Sequence, residues 1–441
     1  MKKSIHTIKL PKFLSDTLAL LSSKIFIIIV QFVIGIFITR LLGPSGKGIV
    51  TTALVIPTIV ISLADLGLRQ SITYFMGKKL YSDQQIISTI TLSLIFTSIL
   101  GIIGALFAYL ISGFQLRYGW GVLIIPLGLI PATLVISYSN GVLMAKRQVT
   151  KLSIINVLPE IIYLFLALFL VLLKLSQPEL VLLGHMLAST ITAGYLLFTI
   201  KKYGELKPEF NSDLFWNILK KGVIFALALF VISLNYSVDV IILDRLTNAA
   251  EVGIYSIGVT VANMLWLIPN AIHMTNSSYS ANAIDNLEYS KKSVFLLKVV
   301  LWVSLLPLLI LFFISPYVIP WIYGKDFSTS GIVVQAILPG VWAMLIFKIL
   351  NSDLAGRGRP EAALWVYLLA AGINIGLNIW WDPLYGAIGA AWASSVSYSF
   401  GGLLFAVAYG RISCIKFKDL LIPNKHDIQN LIGLIKAINV H

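Results

Sequence analysis

Residues 161–173 read IIYLFLALFLVLL, a run with no charge and no polar face, closed by Lys174. A soluble helix needs one face for water, and this run offers none. In hydrocarbon each Leu, Ile, Phe or Val at a helix centre favours insertion by about 0.3–0.6 kcal/mol. The wider apolar block, 153–174, is long enough for a core of about 30 Å, which takes about 20 helical residues. Working outward, blocks of the same kind recur along the chain. They predict spans near 15–39, 48–66, 84–112, 120–145, 153–174, 179–200, 222–244, 251–275, 293–320, 330–351, 361–381 and 386–410. Composition agrees: 58% of residues are hydrophobic and 12% charged, against about 45–50% and 25% in soluble domains. Pro57 interrupts the second span, which is tolerated where neighbouring helices satisfy the freed carbonyl. The expected fold class is an all-α membrane protein of about twelve transmembrane helices.

The formal charge of +14 does not point to nucleic acid, because no basic face, aromatic platform or binding motif accompanies it. The cations lie between apolar blocks. With both termini in the cytoplasm, 24 of the 33 Lys and Arg fall on inside segments, 6 on outside loops, and Lys24, Lys298 and Lys348 within spans. That bias is the positive-inside rule. Lys2, Lys3, Lys9 and Lys12 precede a run too long for a signal peptide, so it is expected to stay as the first helix. The single cysteine, Cys414, excludes an intrachain disulfide and a cysteine metal site. In the tail, Ile428, Leu431, Ile432, Leu434 and Ile435 recur at helical spacing, which fits an amphipathic segment on the cytoplasmic surface.

The two halves resemble each other. Arg40-Leu41 is followed by Gly48-Ile49, and Arg245-Leu246 by Gly253-Ile254, each eight residues on. NGVLMAKRQ from Asn140 is matched by NSDLAGRGR from Asn351, and LLGHMLASTI in span six by AIGAAWASSV in span twelve. The offsets are near-constant, at about 205–211 residues, as expected of a duplicated bundle. An even helix count per half makes the repeats parallel, a transporter architecture with the substrate path expected between the halves. The expected organisation is a cytoplasmic segment at 1–14, a six-helix lobe at 15–202, a cytoplasmic linker at 203–221, a second six-helix lobe at 222–412 and a tail at 413–441.

TRLLGPSGKGIV at 39–50 and VDVIILDRLTNAAEVGIYSIG at 238–258 resemble signature blocks of the polysaccharide-export flippases. WIYGKDF at 321–327, LAGRGRPE at 354–361 and GAIGAAWASSVSYSF at 386–400 resemble later blocks of the same family. It belongs to a superfamily with the multidrug and toxic compound extrusion (MATE) transporters and the lipid II flippases. The resemblance implies a MATE-like fold and a Wzx-type flippase of the bacterial plasma (inner) membrane, with a polyprenyl-diphosphate-linked oligosaccharide as substrate. It also implies a place in O-antigen or capsule biosynthesis beside glycosyltransferases and a polymerase. It implies no cofactor.

Such a cargo needs a wet cavity, donors for sugar hydroxyls and positive charge for the diphosphate. Ionisable groups within spans cost about 2.5–3.5 kcal/mol each on insertion scales and usually face a cavity. The candidates for diphosphate and sugar are Lys24, Arg69, Asn263, Asn270, His273, Lys298 and Lys348. Asn263, Asn270 and His273 share a face of span eight if that span is an unbroken helix. Snorkelling of the lysines and interhelical bonding of the amides and His185 fit the same spacing. Arg357 and Arg359 are cytoplasmic topology charges that could also receive a phosphate. Glu160 and Asp239 are candidates for ion coupling, with structural ion pairing the plainer role for each. Trp266 sits where it could stack on a sugar. A cation-coupled multidrug exporter calls for an acidic cavity, and the mid-span charges here are mostly basic. A membrane polymerase or glycosyltransferase calls for a large outer loop or an acidic sugar-nucleotide site, and neither pattern is found, so no enzyme activity is expected.

Overall fold

The computed structural model describes residues 10–281, 285–357, 359, 361–422 and 427. Among them every regular element is a helix. Every backbone amide in hydrocarbon must find its partner within the segment, and a helix does this alone. Two compact units emerge, residues 1–233 and residues 234–441. The first holds α1 (Leu10–Ala64), α2 (Leu68–Gly77), α3 (Asp83–Ser112), α4 (Phe114–Leu127), α5 (Leu129–Ala145), α6 (Val149–Leu172) and α7 (Pro178–Ile200). The division falls within α8 (Ser212–Leu246). The second holds α9 (Ala249–Ala262), α10 (Leu267–Ala281), α11 (Asn286–Tyr323), α12 (Ser328–Gly356), α13 (Glu361–Ser413) and the short α14 (Phe417–Leu421).

Nine helical stretches among the described residues are long and apolar enough to cross a membrane. Two of them each carry two of the expected spans. α1 is broken at Gly43 (φ 65°) and α13 at Gly386 (φ 56°), both in the left-handed region. The eighth expected span is split instead, into α9 and α10 joined by a 3₁₀ turn at Asn263–Trp266. The chain is an all-α, multi-pass membrane protein of about twelve spans in two six-helix lobes. The expected amphipathic repeat at Ile428–Ile435 lies outside the described residues.

Packing follows membrane rather than aqueous logic. On α3, Ile95, Phe96, Ile99, Ile103 and Phe107 point outward, while Thr97, Gly101 and Ala105 are buried. With lipid as apolar as leucine, small residues drive the contact by letting helices approach. In the second lobe α12 is the central post. A Cβ on Gly340 would meet Ser395 Cα at 2.3 Å, and one on Gly402 would meet the Ala343 carbonyl at 2.4 Å. The break in α13 is held by Glu251, whose carboxylate accepts from the Ala387 amide at 2.7 Å.

In the first lobe the closest backbone approach is between the α1–α2 junction and α8. Gly67 has φ 64°, and a Cβ there would sit 2.1 Å from the Gly222 carbonyl oxygen. Gly67→Ala should therefore destabilise the folded chain by at least about 1–3 kcal/mol, the cost of overpacking, seen as a lower melting temperature in detergent. At the start of α11, Asp285 accepts from the Leu287 and Glu288 amides at 2.8 and 3.1 Å. These bonds hold its carboxyl below the usual carboxylate range. The folded value lies below the unfolded one. The cap therefore contributes fully above about pH 4–5 and loses its contribution as pH falls through the depressed value. The melting-temperature gap between wild type and Asp285→Ala should be constant near neutrality and shrink below about pH 4.

Candidate functional site

The second lobe carries two polar clusters that hydrocarbon would not tolerate without a reason. The first is basic and aromatic. Lys348, on α12, sets its Nζ 4.1 Å from the centre of the Trp266 ring and 5.6 Å from that of Tyr236. It donates to the Asn270 side-chain oxygen at 3.3 Å. Among the described residues no carboxylate pairs with it. His273 Nδ1 lies 3.2 Å from the Lys348 carbonyl. A carbonyl only accepts, so Nδ1 carries the proton and Nε2 of the neutral ring is left as an acceptor. Tyr236 packs on Trp266 (5.5 Å between centroids), Tyr398 (5.8 Å) and Tyr367 (6.3 Å). The Tyr236 and Tyr367 hydroxyls are 3.3 Å apart. Trp266 is held from behind, its indole N–H donating to the Val341 carbonyl at 2.9 Å.

The second cluster is acidic and rich in oxygen acceptors. Asp239 is buried on α8 and accepts from the Tyr255 hydroxyl, and from Ser394 at 3.1 Å. Asn374, Asn378 and Asp382 follow at four-residue spacing on one face of α13, all fully buried. Asn374 donates to Ser394 Oγ at 3.3 Å, and Asn378 donates to the Asn374 carbonyl at 2.7 Å. Among the described residues no donor reaches either carboxylate oxygen of Asp382, or the amide oxygens of Asn374 and Asn378. Asp382 is within electrostatic reach of Asp239. Carboxylate and amide oxygens are hard ligands, the kind that small metal cations take. Amide oxygens add to such a site as ligands, whereas a proton would use the carboxylates alone.

Asp353, Arg357 and Lys298 of this lobe are paired within the protein. Asp353 accepts from Arg357 Nε at 2.9 Å and Nη2 at 2.6 Å, and also from Ser280 and Tyr409. Arg357 also donates to Ser290 at 2.7 Å, so this ion pair ties α10, α11, α12 and α13 together. Lys298 is buried and bonds Asp427 of the tail at 2.8 Å.

Of the residues singled out by sequence, Lys348, His273 and Asn270 are brought together. Asn263 is not part of that contact set. It falls on the 3₁₀ turn, which breaks the helical phase assumed for it, and its side-chain oxygen is buried without a partner among the described residues. Lys24 and Arg69 lie on exposed positions of the first lobe, and Glu160 accepts from Gln31 there at 2.8 Å. His185 packs edge-on against Tyr163 at 5.0 Å. Sequence reading passed over Tyr236, Tyr367, Tyr398, Asn374, Asn378 and Asp382. The N-x₃-N-x₃-D spacing was visible, but Asp382 was placed in a loop beyond the end of span eleven.

The fold is the one seen in structures of a lipid II flippase and of MATE transporters. The structure matches lipid II flippase MurJ in an inward closed conformation with a TM-score of 0.76 at 15% identity, covering 95% of this chain and 92% of that one. An inward-facing multidrug resistance MATE transporter matches with a TM-score of 0.66 at 11% identity over 87% and 94% of the two chains. A transporter of the same superfamily from Pyrococcus furiosus, described as having a binding pocket of reverse polarity, matches at 0.62 and 13% identity over 92% and 96%. The model of the polysaccharide biosynthesis protein family matches residues 13–277, and the chain belongs to that family. No curated protein matches the sequence.

The two kinds of charge should respond differently to removal. Arg357→Ala leaves Asp353 buried with an unneutralised charge and should cost about 3–5 kcal/mol of stability. Lys348→Met removes a charge that has no counter-ion among the described residues and should leave the melting temperature unchanged or raise it.

Proposed function

We propose that the protein is a flippase for a polyprenyl-diphosphate-linked oligosaccharide. It carries this cargo from the cytoplasmic to the outer leaflet of the bacterial plasma membrane by alternating access, for O-antigen or capsule synthesis, with both termini cytoplasmic. The observation that carries the reading is Lys348: a positive charge inside a membrane lobe whose partners are an amide oxygen and aromatic faces. Holding it there is costly, and a cation–π contact returns only about 0.5–2 kcal/mol. An anionic head group supplies the missing counter-charge through a charge-assisted hydrogen bond, roughly twice as strong as a neutral one. His273 and Asn270 add polar groups for phosphate or sugar, and the rings of Trp266 and Tyr236 offer flat apolar faces of the kind sugars stack on. Lys24 and Arg69 belong to the same proposal as first contacts for the diphosphate at the cytoplasmic side. Asp239 with Asp382 is the proposed seat of a coupling cation, and Glu160 is a second candidate for that role. Membership of the polysaccharide biosynthesis family and the likeness to a lipid II flippase fold support the reading.

A cation-coupled multidrug exporter is the second reading, favoured by the acidic cluster at Asp239 and Asp382. Lys348 argues against it, because an unpaired lysine repels a cationic drug. Reconstituted vesicles distinguish the two. Wild-type protein should translocate a fluorescent lipid-linked oligosaccharide and fail to accumulate a cationic dye. Lys348→Met should lower the translocation rate about tenfold or more, a loss of about 1.4 kcal/mol or more in transition-state terms, and Lys348→Arg should keep most of it. Wild-type rates from well-folded Lys348→Met would overturn the assignment.

A further inference from the structure

Two neighbouring helices of the first lobe meet at a pocket of positive charge that the proposed function leaves unused. α6 starts at Val149 and α7 ends at Ile200, so these ends lie on the same side of the packed pair. There Lys151, Lys201 and Lys202 line a cavity of about 390 Å³ together with Tyr195, Phe198 and Thr199, and the lining holds no acid. Other lysines at this end are matched: Lys146 pairs with Asp83, and Lys207 bonds Glu205 at 2.5 Å. Glu205 is within electrostatic reach of Lys201. Among the described residues no carboxylate comes within ion-pair distance of the three cavity lysines. Lys202 reaches the Gln148 side-chain oxygen at 3.5 Å and lies 4.7 Å from the centre of the Tyr203 ring. Membrane topology asks that lysines lie on one side. It does not ask that three of them converge on one cavity without an acid.

From these lysines an exposed stripe runs along α7. Ile191, Gly194, Tyr195, Phe198 and Lys202 recur at helical spacing on one face, and all are exposed. Phe198 is 79% exposed, and Ile154, three residues on from Lys151 along α6, is 69% exposed. Gly194 lies in the middle of the stripe, and a Cβ built on it would meet nothing within 4 Å. It leaves an apolar notch between Ile191 and Phe198. From Ile191 to Lys202 the rise is about 16 Å at about 1.5 Å per residue. That is close to half of a hydrocarbon core of about 30 Å, the depth of one leaflet.

We infer that this face of α6 and α7 binds one anionic phospholipid, its phosphate among Lys151, Lys201 and Lys202 and an acyl chain along the Gly194 notch. Charge complementarity selects the lipid. Three ammoniums without a carboxylate favour a head group of net negative charge over a zwitterion, whose own cation they repel. The match of stripe length to leaflet depth sets the head group at the lysines when a chain lies in the notch. An acidic protein segment would satisfy the lysines but has no use for a notch that faces hydrocarbon. Held this way, the lipid ties the start of α6 to the end of α7.

Native mass spectrometry of the delipidated full chain in detergent tests this, with phosphatidylglycerol, phosphatidylcholine or water-soluble glycerol phosphate titrated in separate arms. Wild type should hold one phosphatidylglycerol about tenfold or more tighter than phosphatidylcholine. Lys151→Gln, Lys201→Gln and Lys202→Gln combined should weaken it about a hundredfold, since each lysine near an anionic lipid is worth about fivefold. Lys291→Gln with Lys416→Gln removes like charges from a cavity of the second lobe and should leave that affinity unchanged. Gly194→Leu keeps every charge and fills the notch. It should weaken phosphatidylglycerol about fivefold or more, about the worth of burying one or two methylenes, and a helix gains by losing a glycine. The inference is overturned if the triple variant binds phosphatidylglycerol as wild type does, or if phosphatidylcholine binds equally well. Glycerol phosphate binding as tightly as the lipid, or an unaltered affinity in Gly194→Leu, would remove the acyl chain from the site and overturn the choice of a lipid. An equal loss in the second-lobe pair would reduce the effect to general surface charge and sink the site.

Discussion

A charged side chain inside a bilayer must be supplied with partners, and the second lobe shows three ways of doing so. Asp353 and Arg357 satisfy each other and recruit Ser280, Ser290 and Tyr409, so that four helices converge on one ion pair. Lys298 takes Asp427 from the tail. Lys348 takes aromatic faces and one amide oxygen, and Asp382 has no donor among the described residues. The first two arrangements complete themselves within the protein. In the proposed reading, the last two are completed by a ligand of opposite charge. Sorting the intramembrane charges by this test separates structural charges from functional ones more sharply than depth in the span does.

Much of the fold was legible in the sequence because membrane insertion is read from length and hydropathy alone. The run at Ile161–Leu173 needs no tertiary information to be a span, and α6 runs through it. Breaks were less legible. Gly43 and Gly386 fuse neighbouring spans into long helices with a left-handed residue at the joint, whereas the turn at Asn263 cuts an expected span in two. The local mark is Pro269 in the first turn of α10, which has no amide hydrogen to bond the carbonyl of residue 265, and the sequence reading did not take it as a break. Asn263 was accordingly put on a face with Asn270 and His273 that the broken helix does not maintain.

The candidate site was half legible for a related reason. Lys348, His273, Asn270 and Asp239 stand out because each is polar in an apolar span. The tyrosines do not stand out, since tyrosine is ordinary at membrane interfaces, and only packing reveals that Tyr236, Tyr367 and Tyr398 meet around Trp266. Asp382 was hidden by its neighbours. Trp380, Trp381 and Pro383 mark the end of a span, yet Asp382 itself turns inward and is fully buried. A boundary error of one or two residues was enough to move a buried acid into a solvent loop.

Magnitudes explain why an aromatic cradle, rather than an acid, suits the lysine of a translocation site. A buried ion pair such as Asp353–Arg357 loses about 3–5 kcal/mol when one partner is taken away, so a lysine held that way would release its acid only at a prohibitive cost. A cation–π contact of about 0.5–2 kcal/mol keeps the ammonium in place, and under the proposed function it is weak enough to yield to a diphosphate and to re-form afterwards. The same reasoning applies across the lobe to Asp239, which is held by hydroxyls from Tyr255 and Ser394 and not by a lysine. Neutral hydroxyls fix the position of a carboxylate without cancelling its charge, so its attraction for a cation survives. Each cluster is thus arranged to hold its charge in place while leaving it unneutralised, the condition a site needs if its ligand is to bind and then be let go.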